Sequence, residues 1–278
     1  MNIRKHEKPE RLKKMANAVR CDILRMTLKA GKQGGHIGGA FSCAEILAVL
    51  YGAVMNVTPE NAEAQERDRF ILSKGHSAVA LYSALYENGF LTEDELNTFE
   101  KDGSLFQTHC IENHKCGIEI SSGSLGVGLS VGVGMALAGQ RENAGYRVFV
   151  LLGNGECNEG CIWEAGMLAG QLGLDHLIAI VDNNQMQLDG ESSNIIALNQ
   201  LDCMFSAMGW NVIQTDGHDV AGLVQAFSRI LQNGKPTVII ADTIKGKGCS
   251  LTEKKAEFHH AVISQEQYND AMKELQND

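Results

Sequence analysis

Proline is nearly absent, at three of 278 residues, and aromatics make up only 6 % of the chain. No Pro/Gly/Ser-rich linker or low-complexity stretch divides the sequence, so residues 1–278 are expected to form one domain with an ample core. No apolar stretch approaches the roughly 18 residues that a bilayer-spanning helix needs. The N-terminus, Met1 to Lys8, is charged and lacks the apolar centre of a signal peptide. The eight cysteines contain no C-x-x-C pair, which argues against a zinc site or a disulfide framework and for reduced packing residues. Excess positive charge is also missing. A formal net charge of −10 argues against nonspecific binding of nucleic acid or of an acidic membrane surface. Nor does a Gly-x-Gly-x-x-Gly follow the first strand pattern. Gly123-x-x-Gly126-x-Gly128 has neither that spacing nor a preceding strand, so a dinucleotide-binding dehydrogenase is disfavoured. These absences describe a cytoplasmic globular protein.

What the chain has is glycine, at 30 residues, and an alternation of strand and helix patterns. Leu12, Met15, Val19, Ile23, Leu24 and Leu28 lie on one face of a helix expected over 8–30, which Gly31 ends. A loop is expected at Gly34–Gly39, then a helix over Ser42–Tyr51 with Ser42 as N-cap and Glu45 completing a capping box. Short buried strands are expected at Arg69–Ser73, Arg147–Leu152, Leu177–Val181, Trp210–Gln214 and Thr237–Ala241. Helices are expected at Ser77–Asn88, Leu125–Ala138, Asn158–Leu172, 201–208 and Asp219–Gln232, with Asp219 capping the last. Residues 97–122 lack periodicity and are expected to be a long irregular segment, often a functional one. The pattern implies an α/β fold, a doubly wound and mostly parallel sheet with helices on both faces.

Chemistry concentrates where two of these strands end. Arg147–Leu152 runs into Gly153-Asn154-Gly155-Glu156, and Leu177–Val181 runs into Asp182-Asn183-Asn184. Open α/β sheets bind ligands at the carboxyl ends of their strands. Two side-chain oxygens from adjacent strand ends, on glycine-loosened backbone, suit a hard cation that clamps a diphosphate. Four histidines, His36, His76, His109 and His259, also lie in expected loops at element ends.

The Gly-Asn-Gly loop with its later asparagine pair resembles the thiamine-diphosphate signature. Gly35-His36, Ser73-Lys-Gly-His76, Gly123-Ser-Leu-Gly-Val-Gly128, Asp216-Gly-His-Asp219, Thr243-Ile-Lys-Gly-Lys-Gly248 and Phe258-His259 resemble segments of transketolases, in that family's order. The resemblance runs from about residue 10 to 265. It implies that Asn154, Asn184 and the Met186 carbonyl ligate Mg2+ or another divalent cation. It also implies that His76 and the backbone of Gly155 and Glu156 contact the diphosphate. Gly123, Ser124 and Leu125 would hold the aminopyrimidine, and Lys245 would bring positive charge to the cofactor and substrate side. His36, His109 and His259 would face the substrate, since imidazoles both donate and accept protons near neutrality. Glu159 would sit in a contact between subunits, or else be a helix-start charge stabilised by the dipole. His114, His176, His218 and His260 are read as structural. The family carries aspartate where this chain has Asn154, so one negative charge is missing opposite the cation. Ile37-Gly38-Gly39 and Gln107-Thr108 also depart from the family pattern, which favours an unusual sugar over the common pentose phosphates.

Transketolases use a second, pyrimidine-binding domain that supplies the glutamate needed to activate the cofactor. No segment here matches it. The resemblance therefore implies the N-terminal subunit of a split transketolase, which forms an α2β2 assembly with a separate C-terminal subunit. It would transfer a two-carbon ketol unit between sugars or sugar phosphates. The helix at 125–138 and the loop at 157–163 are expected to face the partner. The competing expectation is a noncatalytic scaffold that lost its metal with the Asp-to-Asn exchange.

Overall fold

The computed structural model describes residues 8–277. Met1–Glu7, most of the charged N-terminal stretch that is unlike a signal peptide, lie outside the described residues. In chain order the helices are α1 (Pro9–Lys29), α2 (Ile37–Ser42), α3 (Ala44–Val49), α4 (Ala78–Glu87), α5 (Glu93–Leu96) and α6 (Val127–Glu142). Then come α7 (Gly160–Leu172), α8 (Ser192–Ile195), α9 (Leu201–Ala207), α10 (Val220–Ser228) and α11 (Gln265–Asn277). The strands are β1 (Arg69–Leu72), β2 (Val148–Gly153), β3 (Leu177–Asn183), β4 (Asn211–Asp216) and β5 (Thr237–Asp242). All pair in parallel, in the order β1-β2-β3-β5-β4. This is the expected doubly wound sheet.

Strand alternation explains why the strands read as unbroken apolar runs. Phe149, Leu151, Ile178, Ile180 and Ile239 point into a core shared with α1 to α4 and α10. Val148, Val150, Leu152, Ala179, Val181 and Val238 point the other way, against α6, α7 and α9. A sheet covered on both faces has no room for a polar face.

The region of residues 31–54 differs from expectation. Gly31–Gln33 form a 3-10 turn, and Ile37–Ser42 is already helical. Ser42 therefore caps nothing. It is fully buried and donates from Oγ to Asp182 Oδ2 at 2.6 Å, while Glu45 accepts from Arg20 Nη2 at 2.7 Å instead of closing a capping box. The first helical turn carries Gly38 and Gly39 because space is short. A Cβ at Gly38 would lie 3.0 Å from the Phe258 carbonyl oxygen and 3.3 Å from the Lys245 stem.

Helix α10 ends at Ser228, short of the expected 232, whereas Asp219 caps it as expected, accepting from the Ala221 N–H at 3.0 Å. Helix α11 has no counterpart among the expected elements. Its Ala271 and Leu275 are buried against α1, and Asn17 Nδ2 donates to the Leu275 carbonyl at 2.5 Å. Residues 97–122 are largely irregular, as expected, apart from one 3-10 turn at His114–Cys116.

Candidate functional site

Strands β2 and β3 run in register with Gly153 opposite Asp182, so the chains leave the sheet side by side at Asn154 and Asn184. Both asparagines are buried. Asn154 Nδ2 donates to Ser192 Oγ at 2.7 Å, which leaves its amide oxygen for another partner. Asn184 Nδ2 donates to Asp182 Oδ2 at 3.1 Å, and its Oδ1 accepts from the Met186 N–H at 3.1 Å.

Asp182, which sequence reasoning did not single out, organises this edge. It is wholly buried at the end of β3 and pairs with Lys74, which follows β1. Ser42 Oγ, Thr243 Oγ1 and Asn184 Nδ2 also donate to its carboxylate. Burial pushes the carboxyl up, but the Lys74 ammonium and these donors outweigh burial and hold it below the usual carboxylate range. Burial likewise works against the Lys74 charge, and Asp182 reverses that, so the ammonium is held above its ordinary range. One ion pair thus ties α2, β1, β3 and the segment after β5 together behind the asparagines.

Glu156 turns its side chain inward. It accepts from Ser73 Oγ, from the Gly126 N–H at 2.7 Å and from the Gly153 N–H at 3.0 Å, leaving only its backbone for a ligand. Burial nevertheless raises its carboxyl above the usual range.

The histidines converge from four separate loops. Around His36, ring centroids lie at 5.5 Å for His76, 5.6 Å for His109, 5.4 Å for His259 and 4.6 Å for His260. Lys245 is buried; its Nζ donates to the Gln187 carbonyl at 2.8 Å and lies 3.1 Å from His259 Nδ1. An ammonium has only donors, so His259 Nδ1 is the acceptor and its proton sits on Nε2. Burial, reinforced by the Lys74 charge, pulls Lys245 down to about 8. Burial lowers His36 to about 3 and His259 to about 4, with neighbouring imidazoles and Lys245 adding to it. His76 and His109 are lowered by burial too. Burial thus favours the neutral form of all four, in which each ring has one N–H donor and one acceptor.

These groups line a cleft of about 400 Å³ with His36, His76, His109, Gly123, Leu125, Asn154, Gly155, Glu156, Glu159, Asn184, Met186, Lys245 and His259 on its walls. Ser124 is exposed beside it. Gln187, Leu188, Ile195 and Ile196 also line it and are not among the expected site residues; they lie in the stretch after β3, which has no motif to mark it. Glu159 is exposed at the N-cap position of α7 and makes no side-chain cap bond. A larger cavity, about 550 Å³, lies at the opposite, amino end of the sheet around the Arg147–Asp68 pair. None of the converging imidazoles or strand-end asparagines reaches it.

His114 and His176 lie elsewhere, beside Glu112 and Asp175. His218 is a brace, its Nε2 accepting from the Ile244 N–H at 2.8 Å and its Nδ1 lying 3.1 Å from Glu45. His260, read from sequence as structural, packs edge-on against His36.

A family model described as the thiamine-diphosphate-binding domain of transketolase matches residues 12–278. This chain belongs to the transketolase family. It is 41 % identical to the 6-deoxy-6-sulfo-D-fructose transketolase subunit of Clostridium sp. (strain MSTE9), covering 96 % of this chain and 97 % of that one. It is 39 % identical to an apulose-4-phosphate transketolase subunit of Phocaeicola vulgatus, covering 96 % and 94 %. The solved transketolase of Campylobacter jejuni superposes with a TM-score of 0.88 at 30 % identity, over 99 % of this chain and 43 % of that one. That of Leishmania mexicana also gives 0.88 at 30 % identity, over 95 % and 41 %. The chain thus spans about two fifths of these solved enzymes but nearly all of the separate subunits. It is a transketolase N-terminal subunit of the split kind.

Proposed function

We propose that the cleft holds the diphosphate of thiamine diphosphate with a divalent cation, Mg2+ in the first place. With a separate C-terminal, pyrimidine-binding subunit, the chain would then transfer a two-carbon ketol unit between sugars. The observation that carries this reading is the convergence of two strand-end asparagines and four imidazoles on one cleft. The residues fit such a group. Among the described residues no three His, Cys, Asp or Glu side chains cluster to hold a metal by themselves. A cation here would rest on amide and carbonyl oxygens together with phosphate oxygens and water, with an amide in place of the carboxylate that Mg2+ usually takes. His36, on the cleft wall, has a buried Nδ1 without a partner, as expected of a group that a ligand satisfies.

Asn154, Asn184 and the Met186 carbonyl would take the cation; His76 and the Gly155–Glu156 backbone would take the diphosphate. Gly123, Ser124 and Leu125 would meet the aminopyrimidine. When bound, the thiazolium supplies the nucleophilic carbon and takes up the electron pair of the broken carbon–carbon bond. This chain's part is to move protons and exclude water. His259, its proton fixed on Nε2 by Lys245, would donate to a sugar oxygen, while His36 and His109 would donate to or accept from neighbouring hydroxyls. Lys245 adds positive charge beside the phosphates.

The partner is expected to cover exposed apolar side chains: Leu188, Ile195 and Ile196 on the cleft wall, with Val127 on α6 and Met167 and Leu168 on α7. The loop at 157–163 would meet the partner through Glu159 and Gly160, which are exposed, while Cys157 and Ile162 are buried. An α2β2 assembly places two such clefts at contacts between subunits. The names of the relatives, one acting on a sulfonated and one on a phosphorylated sugar, favour an unusual anionic sugar as substrate.

Titration calorimetry of thiamine diphosphate and Mg2+ into the chain mixed with its C-terminal subunit tests the reading. Metal-dependent binding lost in Asn184→Ala supports it. No binding by a properly associated pair would leave the scaffold alternative.

A further inference from the structure

We propose that His260 is a specificity-determining residue that hydrogen-bonds the anionic tail of the sugar, at the mouth of the cleft. The inference rests on the function proposed above and adds a residue and a substrate feature to it.

The backbone commits His260 to this place. Gly35 and Ala261 exchange both main-chain hydrogen bonds, at 3.0 and 2.9 Å, in an isolated antiparallel bridge. The next pair along such a ladder, His36 and His260, does not exchange hydrogen bonds. Residues paired in this way come closest, with their side chains on one face. Their rings accordingly meet at 4.6 Å with an interplanar angle of 72°. Gly34 keeps the bridge tight: its φ is +64°, and a Cβ there would come within 2.4 Å of the Ala261 carbonyl oxygen.

Exposure separates the two rings. His36 is half-buried in the midst of the other rings, whereas His260 is exposed. His260 touches His36, which lines the cleft beside Lys245 and His259, so a sugar whose carbonyl end lies at Lys245 and His259 and whose other end leaves over His36 would meet His260. Among the described residues the His260 side chain makes a ring contact with His36 and no hydrogen bond, so both ring nitrogens are available.

The chemistry of the tail follows from exposure. A neutral hydroxyl at a solvent-facing imidazole exchanges one water bond for another at little gain. A tetrahedral oxyanion gains a charge-assisted bond, which is roughly twice as strong. An outer imidazole therefore discriminates only if the tail is charged. His36, His76 and His259, more buried and all lowered by that burial, suit the hydroxyls and carbonyl of the sugar body.

The test uses the complex of both subunits with thiamine diphosphate and Mg2+. Fructose 6-phosphate, 6-deoxy-6-sulfo-D-fructose and fructose serve as donors, since they differ only in the tail. His260→Ala is expected to lower the ratio of kcat/KM for the anionic donors to that for fructose about tenfold, mainly through KM. His260→Arg should restore the ratio and His260→Gln should restore part of it. Loss for one anionic donor and not the other would assign the tail as phosphate or as sulfonate. Equal loss for all three donors would mean that His260 only supports His36, and it would overturn the inference. So would an unchanged ratio with cofactor affinity, measured by calorimetry, at the wild-type level. Should the wild-type complex bind no cofactor, the proposed function fails first and this inference falls with it.

Discussion

Replacing Lys74 by methionine isolates the ion pair behind the strand-end asparagines. Asp182 would then hold a wholly buried carboxylate without its counter-charge. Breaking one partner from a buried pair costs about 3–5 kcal/mol. A second route to the number agrees. The variant can avoid the buried charge by keeping Asp182 protonated when folded. Holding a carboxyl of ordinary pKa about 3.9 neutral at pH 7 costs about 3 units at 1.36 kcal/mol each, or roughly 4 kcal/mol. The sign follows. In the variant the folded state binds one proton more than the unfolded state above about pH 4. The deficit relative to wild type therefore shrinks as pH falls, from about 4 kcal/mol at pH 7 to about 1.5 at pH 5. Urea denaturation of wild type and variant at both pH values measures it, and Tm should drop by about 10 °C at pH 7. Lys74→Met with Asp182→Asn removes both charges while leaving an amide for Ser42 and Thr243, and should recover most of the loss. A deficit below about 1 kcal/mol, or one independent of pH, would refute the argument that this pair organises the carboxyl edge.

Asn154→Asp restores a negative charge facing the proposed cation, so the dissociation constant for Mn2+ in the complex, read by electron paramagnetic resonance, should fall about tenfold or more. His36 and His259 are lowered to about 3 and about 4 in the fold. The unfolded chain therefore takes up protons first as pH drops below about 6.5, and stability, complete above that value, declines toward pH 4. His36→Gln should flatten the decline in denaturation series at pH 7.5, 6 and 5. A Cβ on Gly170 would lie 1.9 Å from the Met208 carbonyl oxygen, where backbone cannot give way. Gly170→Ala should therefore cost about 3 kcal/mol or more in a thermal melt. Val127→Asp with Met167→Glu changes exposed apolar positions only, and should abolish co-elution with the C-terminal subunit while moving stability by less than about 1 kcal/mol.

The strands are legible because each is a short β-type run buried on both faces, and the asparagines because each stands directly after such a run. Helix α11 is equally readable in principle. Tyr268, Ala271, Met272 and Leu275 recur at helical spacing, but the surrounding polar residues hide the stripe. Helix α2 escapes a linear reading because Gly38 and Gly39 look like a loop in one dimension. Their small size serves the close approach of the Phe258 and Lys245 segments, which no local pattern records.

By itself, then, the sequence determined the order of elements, the parallel sheet and the strand ends that carry the diphosphate-type motif, since these depend on periodicity and neighbouring residues. Only the tertiary structure decided the rest. It brought His36 among four other imidazoles from distant loops, placed Asp182 against Lys74, and lowered His36 to about 3 and His259 to about 4. Contacts between residues a hundred or more positions apart, and the burial that shifts a proton equilibrium, are properties of the packed chain and leave no periodic trace along it.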